Sequence, residues 1–132
     1  MPELAEVEFY RRRWAVGHGA IITRVHVHAR AKIFRHTDAA ALARALTGAR
    51  LLDSATAAKQ MLFRFSGARW LGVHLGMSGE LRVESPAYTP DKHDHLILGQ
   101  RERQLVFSDP RMFGAVSRLP FETSGFAPST SR

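Results

Sequence analysis

Met61-Leu62-Phe63-Arg64-Phe65-Ser66-Gly67-Ala68-Arg69-Trp70-Leu71-Gly72-Val73 holds two short apolar runs on either side of three turn-forming residues. Ser66-Gly67-Ala68 is a tight reversal, and the runs at 61–65 and 69–73 have strand length rather than helix length, so the stretch predicts a β-hairpin. Short β segments begin at Leu51, and further strands are expected at 79–83, 95–98, 104–107 and 115–119. A loop with Pro86 and Pro90 fills 84–92. Upstream, 21–28 reads as a strand. Ile21, Thr23, Val25 and Val27 form one face, and Ile22, Arg24, His26 and His28 the other, partly solvated one.

Two helices complete the pattern. Leu4, Val7, Tyr10 and Trp14 recur at helical spacing, with Gly17 as the stop. Thr37 or Asp38 caps an Ala-rich helix running to about Leu46, with Gly48 just beyond it. The expected fold is α+β and mostly β: a β-sandwich with an N-terminal helix and a second short helix packed on it. Residues 120–132, rich in Ser, Thr, Gly and Pro, read as a loose tail.

At 132 residues the chain has the length of one domain. Charges begin at Glu3 and no apolar run has membrane-spanning length, so a cytoplasmic or nucleoid location is expected, with no membrane partner. Zero cysteines exclude a disulfide or a Cys-ligated zinc within this sequence. The net charge is +7, and sixteen of the nineteen basic residues are Arg. Guanidinium groups grip phosphate in a bidentate fashion, so an Arg-dominated basic domain points toward nucleic acid. A coding bias toward Arg and Ala gives the same composition.

The first residues carry the most distinctive chemistry. Removal of Met1, which the small side chain at position 2 permits, leaves Pro2 with a secondary amine. An α-amino group has a reference pKa of about 8, so part of the population is nucleophilic near neutrality. Such an amine attacking a sugar aldehyde carbon gives an iminium ion, an electron sink for elimination. Glu3 stands next to it, in range to move protons. The same residues also suit an ordinary helix start.

Four stretches of the β body stand out. In His74-Leu75-Gly76-Met77-Ser78-Gly79, two glycines flank Met77, which either projects as a wedge for a base stack or fills the core. Asp109-Pro110-Arg111-Met112-Phe113-Gly114 is a turn whose tip offers a guanidinium and a ring; Arg111 suits an orphaned base and Phe113 a stacking position, unless the ring turns inward. In Lys92-His93-Asp94-His95, His93 and His95 are expected on one strand face. A phosphate contact by His93 leads there, a structural hydrogen bond follows, and no third ligand supports a metal. Lys59, among small neighbours, fits either a catalytic amine or a phosphate contact.

Taken together, Pro2-Glu3-Leu4 with Glu6-Val7-Glu8, the Ala58-Lys59 pair, His74 through Gly79, Lys92 through His95, and Asp109-Pro110-Arg111 with Phe113-Gly114 resemble the N-terminal domain of the formamidopyrimidine-DNA glycosylase/endonuclease VIII family. Order and spacing agree over residues 2 to about 119, nearer the formamidopyrimidine branch. The resemblance implies a catalytic domain at 1–119 that removes oxidised purines (formamidopyrimidine, 8-oxoguanine) and cleaves abasic sites. Pro2 is then the Schiff-base nucleophile, Glu3 the proton donor and Lys59 the aid to β-elimination. His74, His93 and Arg111 are DNA-binding positions, and Met77, Arg111 and Phe113 fill the gap left by a flipped base. The partner is double-stranded DNA with an oxidised base or abasic site, met by a monomer.

Departures from that pattern are Ala5 for a second Pro and Met112 for a second Arg. The family's helix–two-turn–helix domain and its four-Cys zinc finger, which holds one zinc, have no counterpart in these residues. No cofactor is therefore expected within them, and catalysis by this chain alone is expected to be weak or nil. A non-catalytic damage-recognition remnant and a basic β-sandwich interaction module are the alternatives.

Overall fold

The computed structural model describes residues 4–28, 39–57, 60–75 and 79–109, together with the backbone of 115–119. Helix α1 spans Leu4–Ala15 and α2 spans Ala39–Leu46. Among the described residues the strands are β1 Ile22–Val27, β2 Leu51–Ala57, β3 Gln60–Phe65, β4 Arg69–His74, β5 Glu80–Glu84, β6 Asp94–Gln100, β7 Gln104–Ser108 and β8 Ala115–Leu119. They form two four-stranded antiparallel sheets, ordered β1-β6-β7-β5 and β2-β3-β4-β8. The predicted α+β sandwich is the observed one.

The hairpin expected at 61–73 forms, with Phe65 paired to Arg69. Its turn puts Gly67 at φ 81° and Ala68 at φ 59°. Two successive left-handed residues reverse the chain with a twist that matches the strands, and Ala68 adopts this at some cost in strain. Alternation along the strands sends Met61, Phe63, Phe65, Leu71 and Val73 inward from one sheet. Leu81, Leu96, Leu98, Leu105 and Phe107 face them from the other. Leu42 and Leu46 of α2 join this core, with α2 lying against β1.

Helix α1 covers the side where β5 and β2, the edge strands of the two sheets, lie open. Val7 and Trp14 are fully buried, as their helical spacing implies. Trp14 joins the sheets: its ring lies 5.0 Å from that of Phe63, and its Nε1–H donates to the Arg82 carbonyl at 3.1 Å. Beyond the helix, Gly17 N–H closes on the Trp14 carbonyl, and Gly19 N–H reaches the Leu51 carbonyl at the start of β2.

One expectation about β1 fails. Ile21 is exposed and Ile22 fully buried, whereas Val25 and Val27 pack on the core. A register shift between Ile22 and Arg24 against β6 adds a residue, so the core face changes from even to odd positions. The expected cap at Thr37 or Asp38 and the tail at 120–132 lie outside the described residues. No helix among the described residues is long and apolar enough to cross a membrane.

Candidate nucleic-acid interface

Two rows of paired residues define one end of the sandwich. In the second sheet, Gln60 pairs with His74 and His74 with Ala115. In the first, Glu80 pairs with Ser108 and Ser108 with Asp94. Adjoining these rows are 58–59, 75–79 and 109–114, and the 85–93 connection, which starts at the far end where Glu84 pairs with Gln104, reaches this end at Asp94. The described residues that flank all four stretches singled out in the β body therefore lie at the same end, though they are far apart in sequence.

The direction of α1 brings the N-terminus to that end. Its C-terminal turn is tied to the opposite end, where Gly19 meets Leu51 and the Gln100 side chain donates to the Gly17 carbonyl at 3.0 Å. Trp14 sits midway, beside Phe63 and Arg82. A rise of ~1.5 Å per residue carries Leu4, ten residues earlier, about 15 Å back toward the end bearing the four connections. A lock on the β2 side holds this direction. Glu8 accepts from Arg11 (Nη2–Oε2 2.5 Å) and Arg12 (2.9 Å), and Arg11 Nη1 donates to Ser54 Oγ at 2.8 Å. The Arg11 bond, outweighing a desolvation penalty, holds the Glu8 carboxyl at about 2. Ser54 Oγ also meets His18 Nε2 at 2.9 Å. Burial and then the nearby Arg11 charge push His18 below its usual pKa, against the pull of Asp53.

Of the predicted site residues, His74 closes β4 half-buried, and His93 is half-exposed just ahead of β6. His93 N–H donates to Asp91 Oδ1 at 3.1 Å, and its carbonyl accepts from Asp109 N–H at 3.0 Å. Pro2, Glu3, Lys59, Met77, Arg111 and Phe113 lie outside the described residues. Their described neighbours bracket the end just defined. Gly79 N–H bonds the Leu75 carbonyl at 3.1 Å, and a Cβ on Gly79 would stand 2.3 Å from that oxygen, so position 79 requires glycine.

The expectation that His93 and His95 share a strand face is overturned. His93 precedes β6, while His95 lies inside it and is fully buried. Its Nε2 bonds the Asp109 carbonyl at 2.9 Å, because the register of β6 against β7 shifts between Asp94 and Leu96. No group of three metal-ligating side chains forms among the described residues.

Asp94 is a residue whose role the sequence reading passed over. It is 1% exposed and accepts from Arg82 Nη2 (3.2 Å), the Asp91 N–H (2.8 Å) and the Tyr88 hydroxyl. Burial pushes its carboxyl up, but the hydrogen bonds from Tyr88 and Asp91 and the Arg82 charge outweigh it, leaving the group below its ordinary value. Burial, the bond to Asp94 and its charge push Tyr88 up to about 12. Arg82 also holds Glu84 at 2.9 Å and Glu80 at 3.4 Å. The connection 85–93 is thereby fastened to the outer face of β5 and β6. The available signal was the spacing Asp91-x-x-Asp94 at the entrance to a strand, the pattern of a side-chain-capped turn.

Comparison with known proteins agrees with this geometry. The family described as "Formamidopyrimidine-DNA glycosylase N-terminal domain" matches residues 1–116. The formamidopyrimidine-DNA glycosylase of Halorhodospira halophila is 38% identical over 117 residues, covering 88% of this chain and 43% of that protein. Its counterpart in Methylococcus capsulatus is 40% identical over 117 residues, with 88% and 42% covered. Lactococcus lactis Fpg (MutM), solved in a complex with a FAPY-dG containing DNA, superposes with a TM-score of 0.82 at 28% identity, covering 89% of this chain and 44% of that one. The same protein solved with DNA containing an abasic site gives 0.82 and 28%, with 90% and 44% covered. The chain thus spans less than half the length of these relatives. Within that span, fold, motif order and sequence concur: the chain belongs to the formamidopyrimidine-DNA glycosylase N-terminal domain family.

Proposed function

We propose that this chain is the catalytic N-terminal domain of a bifunctional DNA glycosylase/AP lyase that acts in base-excision repair on oxidised purines in double-stranded DNA. The family match over residues 1–116 carries the reading, since it includes every position with the required chemistry. The convergence of the four connections and the start of α1 at one end of the sandwich supports it.

In this reading the Pro2 nitrogen attacks C1′ of the damaged nucleotide. The C1′–N bond breaks and the base leaves with its electron pair and a proton. Glu3 protonates the ring oxygen as the sugar opens, which leaves an iminium between Pro2 and C1′. Loss of a C2′ proton then expels the 3′ phosphate by β-elimination, assisted by Lys59, and water hydrolyses the iminium to restore the amine. Met77, Arg111 and Phe113 occupy the space left by the flipped base and offset the few kcal/mol of unstacking. His74, His93 and Arg111 contact DNA. The protein acts as a monomer on nucleoid DNA and uses no cofactor held by these residues.

Borohydride trapping tests this reading. Chain freed of Met1 and mixed with an oligonucleotide carrying an abasic site is expected to give a covalent adduct, slower than a full-length relative does. Pro2→Gly is expected to abolish it. Salt-sensitive DNA binding with no adduct, under conditions that trap the relative, removes catalysis and leaves a recognition module.

A further inference from the structure

The turns at the end opposite the proposed site carry guanidinium groups that no carboxylate among the described residues neutralises. These turns are 16–21, 47–50, 66–69 and 101–103. They are gathered by the pairings Leu51–Phe65–Arg69 and Ile22–Gln100 and by the bridge from Ile21 to Arg50. A run of hydrogen bonds joins them. Arg69 Nη1 donates to the Ser66 carbonyl at 3.0 Å, and Arg50 N–H to Ser66 Oγ at 2.9 Å. Arg50 Nη1 reaches the Gly19 carbonyl, and Gln100 Nε2 the neighbouring Ala20 carbonyl at 3.3 Å. Gln100 Oε1 accepts from Arg103 Nη1 at 2.9 Å. Space for this network is built in: a Cβ on Gly67 would stand 2.0 Å from Arg69 Nη1, and one on Gly17 2.7 Å from Gln100 Oε1.

Every acceptor in the network is neutral, so each guanidinium keeps its charge and most of its N–H donors. Arg101, exposed beside Arg103, adds to them, and Glu102 is the one carboxylate in these turns. Glu84, at the same end, is held by Arg82 at 2.9 Å. A neutral amide side chain also donates to carbonyls, so what arginine adds here is charge. Guanidiniums fixed on several turns of a rigid sandwich suit the repeating phosphates of a nucleic-acid backbone.

We propose that this end is a second DNA-binding surface, on which Arg50, Arg69 and Arg103 hold the phosphate backbone of a separate duplex segment. The proposal goes beyond the functional reading above and takes from it only the DNA engaged at the other end. A chain so built passes between duplexes directly, because the second is held before the first is let go.

Release of a labelled intact duplex from the whole chain, with unlabelled duplex as competitor, tests this in stopped flow. The release rate is expected to rise in proportion to competitor concentration. That rise is expected to shrink about fortyfold between roughly 50 and 200 mM salt, the effect of about three neutralised phosphates. The triple variant Arg50→Gln, Arg69→Gln, Arg103→Gln, which keeps an N–H donor at each place, is expected to abolish the rise with little change in Tm. The corresponding triple Lys variant is expected to keep most of it. Should the Gln variant not fold, Glu102→Gln, which removes the opposing charge, is expected to steepen the rise severalfold. Release independent of competitor, a rise unchanged in the Gln variant, equal losses with Lys and Gln, or no effect of Glu102→Gln overturns the proposal. An acidic polypeptide that speeds release as well as duplex does overturns its assignment to DNA. Preference for duplex with a tetrahydrofuran abasic-site analogue, measured alongside, separates the two readings. Preference with competitor-independent release removes the second surface alone; competitor-dependent release without preference removes the functional reading alone.

Discussion

A buried carboxylate such as Asp94 is retained where several donors converge on it, and here three do: a guanidinium, a phenol and a backbone N–H. Removing the acceptor leaves each donor to find water or remain unpaired. Arg82 is half-compensated, since Glu84 and Glu80 stay beside it and its side chain is 23% exposed. Asp94→Ala is therefore expected to cost about 2–3 kcal/mol, below the loss for a wholly buried pair. Asp94→Asn keeps one acceptor oxygen and is expected to cost less than half as much. Urea denaturation of the two variants checks both numbers. Equal costs would mean that the negative charge, rather than the hydrogen bonds, holds the 85–93 connection.

Helix α1 is the element on which the proposed chemistry depends, because residues 2 and 3 run directly into it. Its lock is pH-sensitive in two windows. Glu8 has a folded pKa near 2 against an ordinary 4.5, so its contribution is present above 4.5 and fades as pH falls toward 2. With 34% of that side chain exposed, water screens the pair and about 1 kcal/mol is at stake. His18 is depressed below 6.5, so the unfolded chain takes up a proton more readily than the folded one. Stability is then greatest above 6.5 and declines as pH drops through that value toward the folded pKa. Thermal melts from pH 8 to 3 are expected to show both declines. Glu8→Gln should remove the acid-side one and His18→Gln the one below 6.5; unchanged profiles would show that neither group is linked to folding. Element positions were legible wherever turn residues bound them, as at Ser66-Gly67-Ala68 and at Pro86 and Pro90. The face of β1 was not legible, because a single inserted residue against β6 leaves no mark in composition. Strand β2, Leu-Leu-Asp-Ser-Ala-Thr-Ala, was located only at its start, since its small and polar residues show no alternation.

At the scale of the molecule, what the sequence could not reveal is why stretches centred near 59, 77, 93 and 111 belong together. Pairing register decides that, through the rows Gln60–His74–Ala115 and Glu80–Ser108–Asp94. Motif order in the sequence pointed to the same family without showing the end of the sandwich that unites them. Charge adds a second whole-molecule property. The ion pairs of Arg11, Arg12, Arg64 and Arg82 engage five carboxylates, Glu8, Asp53, Glu80, Glu84 and Asp94. They draw more negative than positive charge into the framework, so they do not consume the excess of +7. Such an excess acts on DNA by displacing counterions, and the logarithm of affinity then falls linearly with the logarithm of salt, by about 0.9 per phosphate neutralised. Fluorescence anisotropy on a short duplex between 50 and 200 mM salt, roughly the range in which that effect is large, is expected to give such a line. Arg111→Ala should lower affinity for duplex carrying an abasic site more than for intact duplex, as a base-facing guanidinium requires. A substitution confined to phosphate contact would instead weaken both duplexes alike and reduce the slope by about one. A slope of zero for the unmodified chain would detach the basic composition from DNA and leave it as a trait of Arg-rich coding.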